Sequence, residues 1–485
     1  MQGVIGNMSD ADVTIVGAGF TGSALAIHLQ QTLPASSRIV LIDEAAAIGR
    51  GLAYSTTNPV HLLNVVAGRM SLFPATPDDF VTWLVEHRLA ELGTTNRSEI
   101  SHAFVPRMWY GAYLSDRLDH AFAHGASGPH LTIVPGRAQA MDPLDDQWRI
   151  TLANGDAFDS RAVVLCTGNQ RSTLPRLSQP IPSEASTAVL HDPWDDVRLS
   201  QIDSRDDILI VGTGLTMVDQ VLAREAAGHQ GATIAVSRHG LLPNVHATPP
   251  LPHASLEGVR EASSLPDLVR IVRAQAAGCD WRQTIDGLRP HTQEIWQGFS
   301  LDDRQRFLRH VATYWGVLRH RMAPQVAETV DRAQRAGRLR IVSGHLTRIS
   351  RAAGRIRVDV LGRGDRGPSA HEVDWVLNCR GPERDPRRST NPLLHYLLSH
   401  DLGKVDALQL GLDTTFQHEV VAASGRAWGN LFALGPVAMG SRWEIVAVPD
   451  LRVQCQSLAE TLAASLTAQR PPAHAGRRVV HHPAA

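Results

Sequence analysis

One signal occurs twice in this chain and restricts its possible folds more than any other. Val13-Thr14-Ile15-Val16 runs into Gly17-Ala18-Gly19-Phe20-Thr21-Gly22, and Ile208-Leu209-Ile210-Val211 runs into Gly212-Thr213-Gly214-Leu215-Thr216-Met217. A short apolar, β-branched run reads as a strand buried on both faces, as in parallel sheets. Each copy is followed by a helical stretch and a second strand, "RIVLID" in one half and "TIAVS" in the other. Strand-like pieces then come near His130–Val134, Trp148–Leu152 and Arg161–Leu165, and again near Leu339–Val342, Arg355–Leu361 and Trp375–Leu377. These read as three-stranded meanders, each ending at a glycine (Gly168, Gly381). A repeat on this scale predicts two similar α/β units. At 485 residues the chain is long enough for two or three cores.

The two turns differ in chemistry. In the first, Gly17 allows the tight turn, Gly19 lets a diphosphate approach the backbone and Gly22 lets the helix pack against the strand. The second strand ends in Asp43-Glu44, 21 and 22 residues past Gly22. A carboxylate there accepts hydrogen bonds from an unphosphorylated ribose, as in FAD or NAD. In the second copy the strand ends in Ser237-Arg238-His239-Gly240, and Arg238 suits a 2′-phosphate. FAD is therefore expected in the first half and NADPH in the second. Met217 replaces the third glycine and predicts a helix set further from its strand, with Gly212 and Gly214 still serving the phosphates.

Composition excludes several classes. The formal charge is −1, so no overall field recruits nucleic acid or an anionic membrane. No apolar run reaches the roughly 20 residues of a membrane span. The N-terminus lacks a signal core, and a cytoplasmic location is expected. Cys166, Cys279, Cys379 and Cys455 form no C-x-x-C pair, which disfavours a dithiol centre. No metal site is expected.

The stretches "VGAGFTG", "GRGLAYSTTNPVHLLNV.AGRMS.FP", "VGTGLTMVD", "SRHGLLP", "RFLRH…YW…RHRMAP" and "WEI.AVPD.R.Q" resemble the bacterial FAD/NAD(P)-binding proteins with two dinucleotide-binding domains. The resemblance spans all but about the first ten and last twenty residues. More distantly the chain is similar to the class B flavin monooxygenases, including amine and amino-acid N-hydroxylases. It departs from them in lacking F-x-G-x-x-x-H-x-x-x-W/Y, and "WVLNCRG" follows Asp374 where A-T-G is the pattern.

The resemblance implies an α/β fold with two Rossmann-like domains in a glutathione-reductase-like arrangement. Expected boundaries are 1–185 for the first part of the FAD-binding domain and 186–382 for the NADPH-binding domain, with a helical insertion over about 266–336. The chain then returns to the FAD domain over 383–467, and 468–485 forms a disordered tail. It also implies an NADPH-consuming monooxygenase, with a flavin reductase or oxidase and a flavin-binding redox sensor as alternatives. Its expected partners are a small-molecule substrate and molecular oxygen; a homodimer is allowed.

Cofactor contacts are expected from Gly17, Ala18, Gly19, Phe20, Thr21, Gly22, Asp43, Glu44, Leu52, Asn64, Met70, Thr167, Gly168 and Gly435 for FAD. Gly212, Thr213, Gly214, Leu215, Thr216 and Arg238 are expected to hold NADPH. Asn64, Arg69 and Met70 lie on a loop suited to the flavin edge. Candidate catalytic residues are Asn64, Arg107, Arg442, Trp443 and Glu444, with Arg107 or Arg442 gripping a substrate carboxylate and Tyr110 beside Arg107. The stretch 304–322 reads as one amphipathic helix, with Arg304, Arg309, Arg319 and Arg321 on a solvated face.

Overall fold

The computed structural model describes residues 10–44, 48–123 and 128–468. The tail beyond 468 lies outside them. The first sheet is built from β1 (Ala11–Val16), β2 (Arg38–Asp43), β3 (His130–Pro135), β4 (Ala138–Leu144), β5 (Gln147–Leu152) and β6 (Ala157–Leu165). The second holds β7 (Val189–Leu190), β8 (Ile208–Val211), β9 (Thr233–Ser237), β10 (Leu339–Ala352), β11 (Arg355–Gly362), β12 (Pro368–Val373) and β13 (Trp375–Asn378). The chain then returns to the first sheet with β14 (Glu419–Val421) and β15 (Ala427–Ala433). Strand order is β14-β15-β6-β1-β2-β3 in one sheet and β12-β11-β10-β9-β8-β13-β7 in the other. In both, the strand before the glycine turn is flanked by parallel neighbours on each side.

The repeat extends to single hydrogen bonds. Gly17 N donates to Ile42 O and Gly212 N to Val236 O, both at 2.8 Å. Cys166 N donates to Val16 O and Cys379 N to Val211 O, again both at 2.8 Å.

The meanders differ from expectation. β3 is the third parallel strand, beside β2, and the antiparallel meander is β4-β5-β6. Likewise β10 begins parallel to β9, continues antiparallel to β11, and β12 completes the meander before β13 rejoins β8. β4 and β12, "AQAMDPL" and "PSAHEV", lack the apolar β-branched runs that announce a strand.

Helices Phe20–Thr32, Arg107–Phe122 and Val448–Ala468 cover one face of the first sheet. Helices Leu215–Ala226 and Pro324–Arg335 cover one face of the second. Pro324–Arg335 packs on the Leu215–Ala226 helix and on β10, so this last helix of the expected insertion belongs to the sheet layer. The earlier helices, from Leu265–Ala276 to Ala312–Arg319, send Leu265, Trp296, Phe299 and Phe307 into the core of the first half. The expected single helix over 304–322 is broken: Leu301–Arg306 is α-helical, Phe307–Val311 is a π turn, and Ala312–Arg319 resumes the α-helix. Among the described residues, no helix is long and apolar enough to cross a membrane.

Candidate active site

Both glycine turns are closed by backbone contact. Gly17 has φ +104° and Gly212 φ +112°. A Cβ would lie 2.2 Å from Cys166 O on the first and 2.3 Å from Cys379 O on the second. Only glycine fits either place. A Cβ on Gly22 would lie 1.9 Å from Gly17 O, whereas Met217, its counterpart, carries a whole buried side chain. The second helix must therefore stand further from its turn.

Around the first turn, Gly19 is the N-cap of the Phe20–Thr32 helix, and Phe20 and Thr21 are buried. Asp43 Oδ2 accepts from Ala18 N at 2.5 Å, so the carboxylate reaches the turn itself. Glu44 points away and pairs with Arg137 at 3.7 Å. Leu52, half exposed, lies on the short helix Gly51–Tyr54, next to the turn. Gly435 faces Thr21 Oγ1, 3.1 Å from where its Cβ would be. Thr167 Oγ1 is buried without a hydrogen-bond partner among the described residues, and the space in front of Gly168 is open. Met70 is buried in the apolar core, a packing position. An orphan hydroxyl, a carboxylate at the strand end and open helix amides fit the diphosphate and ribose of FAD.

The second turn opens into a cavity of about 780 Å³. Gly212, Thr213, Gly214, Leu215, Thr216 and Arg238 all line it. Gly214 caps the helix Leu215–Ala226, and a Cβ there would meet nothing within 4 Å. Thr213 Oγ1 donates to Leu241 O at 2.6 Å and lies 2.8 Å from Ser237 Oγ, tying the turn to the end of β9. Arg176, Arg380 and Arg384 add three further guanidiniums to the wall. This residue set fits NADPH.

Several expected catalytic residues are held in contacts within the protein. Arg107 Nε donates to Leu62 O at 3.0 Å, and its guanidinium makes an ion pair with Asp219. Asp219 lies in the second half, where burial pushes its carboxyl up and Arg107 pulls it back. Arg107 thus joins the halves, and its charge is engaged. Tyr110 is fully buried. Arg442 lies 4.3 Å over the Phe416 ring and donates to Phe416 O. Trp443 stacks on Trp296 with centroids 5.0 Å apart. Glu444, at φ +64°, accepts from Trp315 Nε1 and, at 3.2 Å, from Arg319 Nε. It therefore anchors another residue.

What Arg319 faces is a cavity of about 520 Å³ that was not visible in the sequence. Asn64 and Arg69 form part of its wall, together with Arg282, Arg289, Arg319 and Arg321. Asn64 O lies 3.0 Å from His246 Nε2. Burial, helped by Arg321, pushes the His246 imidazole down to about 4, so it is neutral at pH 7. Of the arginines read as a solvated face, Arg319 and Arg321 are thus buried, whereas Arg304 is half-buried and Arg309 is exposed as expected. The one available signal was the unusual density of arginine beside apolar residues in "RFLRHVATYWGVLRHRM". Successive residues Arg319 and His320 line the arginine cavity and the NADPH-type cavity respectively.

Residues 14–170 match the family model described as FAD-NAD(P)-binding. No curated protein matches the sequence. Among solved structures, the ornithine N-hydroxylase of Kutzneria sp. 744, with reduced FAD, NADP⁺ and L-ornithine, is 16% identical with a TM-score of 0.64, over 94% of this chain and 99% of that one. The L-lysine 6-monooxygenase of Pseudomonas syringae is also 16% identical, with a TM-score of 0.62 over 94% and 99%. The thioredoxin reductase of T. acidophilum is 12% identical, with a TM-score of 0.50 over 94% and 99%. The chain thus carries an FAD-NAD(P)-binding domain, within a two-sheet α/β fold similar to that of the amino-acid N-hydroxylases.

Proposed function

We propose that the protein is an FAD-dependent, NADPH-consuming monooxygenase that N-hydroxylates a small amine or amino acid. The observation that carries this is the junction at Arg319-His320, where successive residues line a nucleotide-sized cavity and a polar chamber whose wall also takes in Asn64 and Arg69 of the first half. A hydride donor, a flavin and a small substrate need that adjacency. The turn Gly17–Gly22, Asp43, Thr167 and Gly168 would hold FAD. Gly212–Thr216 would hold the NADPH diphosphate and Arg238 its 2′-phosphate. FAD, when bound, carries two electrons from NADPH to molecular oxygen. In balance, amine, oxygen, NADPH and a proton give hydroxylamine, water and NADP⁺.

The protein's own residues bind, orient and exclude water. We assign 1–185 and 383–467 to the FAD domain, 186–382 to the NADPH domain, and the reaction to the cytoplasm. The main alternative is a reductase or oxidase that inserts no oxygen. All four cysteines are unpaired, and burial pushes the Cys166 and Cys379 thiols up, which disfavours dithiol chemistry. The test is the purified yellow protein, which should release FAD on denaturation. With a suitable amine, NADPH use should rise, peroxide release should fall and labelled oxygen should appear in the product. Peroxide as the sole product, or electrons passed to quinones whatever amine is offered, would assign it to the alternative.

A further inference from the structure

The arginine cavity carries an unbalanced charge. Five guanidiniums line it, Arg69, Arg282, Arg289, Arg319 and Arg321 with only one carboxylate, Asp286, among them. Three further carboxylates stand behind the wall: Asp280 on Arg282 and Asp450 on Arg289, both at 3.1 Å, and Glu444 on Arg319 at 3.2 Å. Asp286 itself pairs with Arg321. Arg69 meets no carboxylate at ion-pair distance among the described residues; its contact is His253. Burial weighs most against the Arg69 charge, and Arg289, Arg319 and Arg321 add repulsion that Asp286 offsets in part. Each guanidinium has five N–H donors, and each back-side pair engages only part of them. Arg321 Nε is buried without a hydrogen-bond partner among the described residues, and the residue is only 3% exposed. A buried surplus of this kind calls for an anion.

We infer that the substrate is a small amine of net negative charge carrying two carboxylate groups, one for Arg69 and one for the Arg289–Arg319–Arg321 wall. This rests on the N-hydroxylating reading above and specifies its substrate class. A diamine such as the one in the ornithine N-hydroxylase would bring a second cation into a field that repels it. The same field favours loss of the ammonium proton, because neighbouring like charges disfavour the charged form. An amine held there arrives as the free base that an attack on oxygen requires. His246 and His253 on the wall add no positive charge of their own at pH 7, since burial lowers both.

The experiment is titration calorimetry on the oxidised, FAD-loaded protein without NADPH, comparing L-aspartate and L-glutamate with L-ornithine and L-lysine. At least one dicarboxylate should bind ten- to a hundredfold tighter than either diamine, the range for a charge-assisted contact. Raising salt should weaken it. Arg69→Gln should remove most of that preference and Arg69→Lys should restore part of it, with FAD content as the folding control. Arg321→Gln would disturb a buried pair, so the deciding variants are those at half-buried Arg69. Equal or tighter diamine binding, or a preference indifferent to Arg69, would overturn the inference. A protein that binds dicarboxylates but never transfers oxygen refutes the monooxygenase reading and leaves the charge argument standing.

Discussion

Two alanine substitutions in the second turn separate folding from cofactor binding, because its two glycines serve different ends. Gly212→Ala places a Cβ 2.3 Å from Cys379 O at φ +112°. The left-handed conformation costs roughly 1–2 kcal/mol and the overlap roughly 1–3, so a loss of roughly 2–5 kcal/mol in stability is expected. Gly214→Ala has φ −83° and open space before it. Alanine is a poorer N-cap than glycine, while the unfolded chain loses entropy, and the two effects of about 1 kcal/mol offset each other. Its new methyl projects into the 780 Å³ cavity, where the diphosphate approaches the helix amides. Displacing one charge-assisted contact costs about 1.5–3 kcal/mol, so half-saturating NADPH should rise about ten- to a hundredfold. Urea denaturation followed by tryptophan fluorescence reads the first effect. Anaerobic bleaching of the flavin against NADPH concentration reads the second. Wild-type stability in Gly212→Ala, or wild-type NADPH dependence in Gly214→Ala, would refute the assignment of this turn.

Arg238→Ala should weaken NADPH about ten- to a hundredfold more than NADH, measured as the ratio of the two half-saturating concentrations; equal losses would show that Arg238 reads no 2′-phosphate. Arg107→Met should cost roughly 3–5 kcal/mol by leaving the Asp219 carboxylate buried and alone, and Arg107→Met with Asp219→Leu should recover most of it in the same urea assay. Stability should fall with acid: burial holds folded His246 at about 4 and His418 at about 3, below the free value of 6.5. The unfolded chain therefore binds the extra protons, and each histidine removes up to about 1.4 kcal/mol per pH unit as pH drops from 6.5 towards those values. His418→Gln should flatten that slope in melts taken from pH 7.5 to about pH 4.

The parallel strands and both turns were legible because their constraints are local. An apolar β-branched run must be buried, and a glycine at positive φ under a carbonyl has no substitute. Asp43 and Arg238, at the ends of β2 and β9, follow from the same register. The arginine cavity was not legible, because no local rule separates a buried arginine from a solvated one. Arg319 and Arg321 look like a polar helix face until Glu444, 125 residues after Arg319, and Asp286 are folded against them. The π turn at Phe307–Val311, which breaks the expected helix, is equally silent in the sequence. Arg107 and Arg442 looked free for a ligand, and tertiary packing gave them Asp219 and Phe416.

Glu444 comes from the returning segment, and its grip on Trp315 and Arg319 is a long-distance tether on the helices between Leu265 and Arg319. Those helices supply Arg282, Arg289 and Arg319, while the sheets that carry the two glycine turns supply none of the three. Three of the five guanidiniums of the arginine cavity thus come from a stretch of chain separate from both cofactor turns, while Arg69 comes from the loop after the first. Sequence change in the helices can alter the chamber while both cofactor turns keep their shape, provided the tether keeps its carboxylate. Grafting this helical segment between relatives, with Arg69 and the residue facing Trp315 and Arg319 carried along, is therefore the exchange that would move the proposed chamber as a unit.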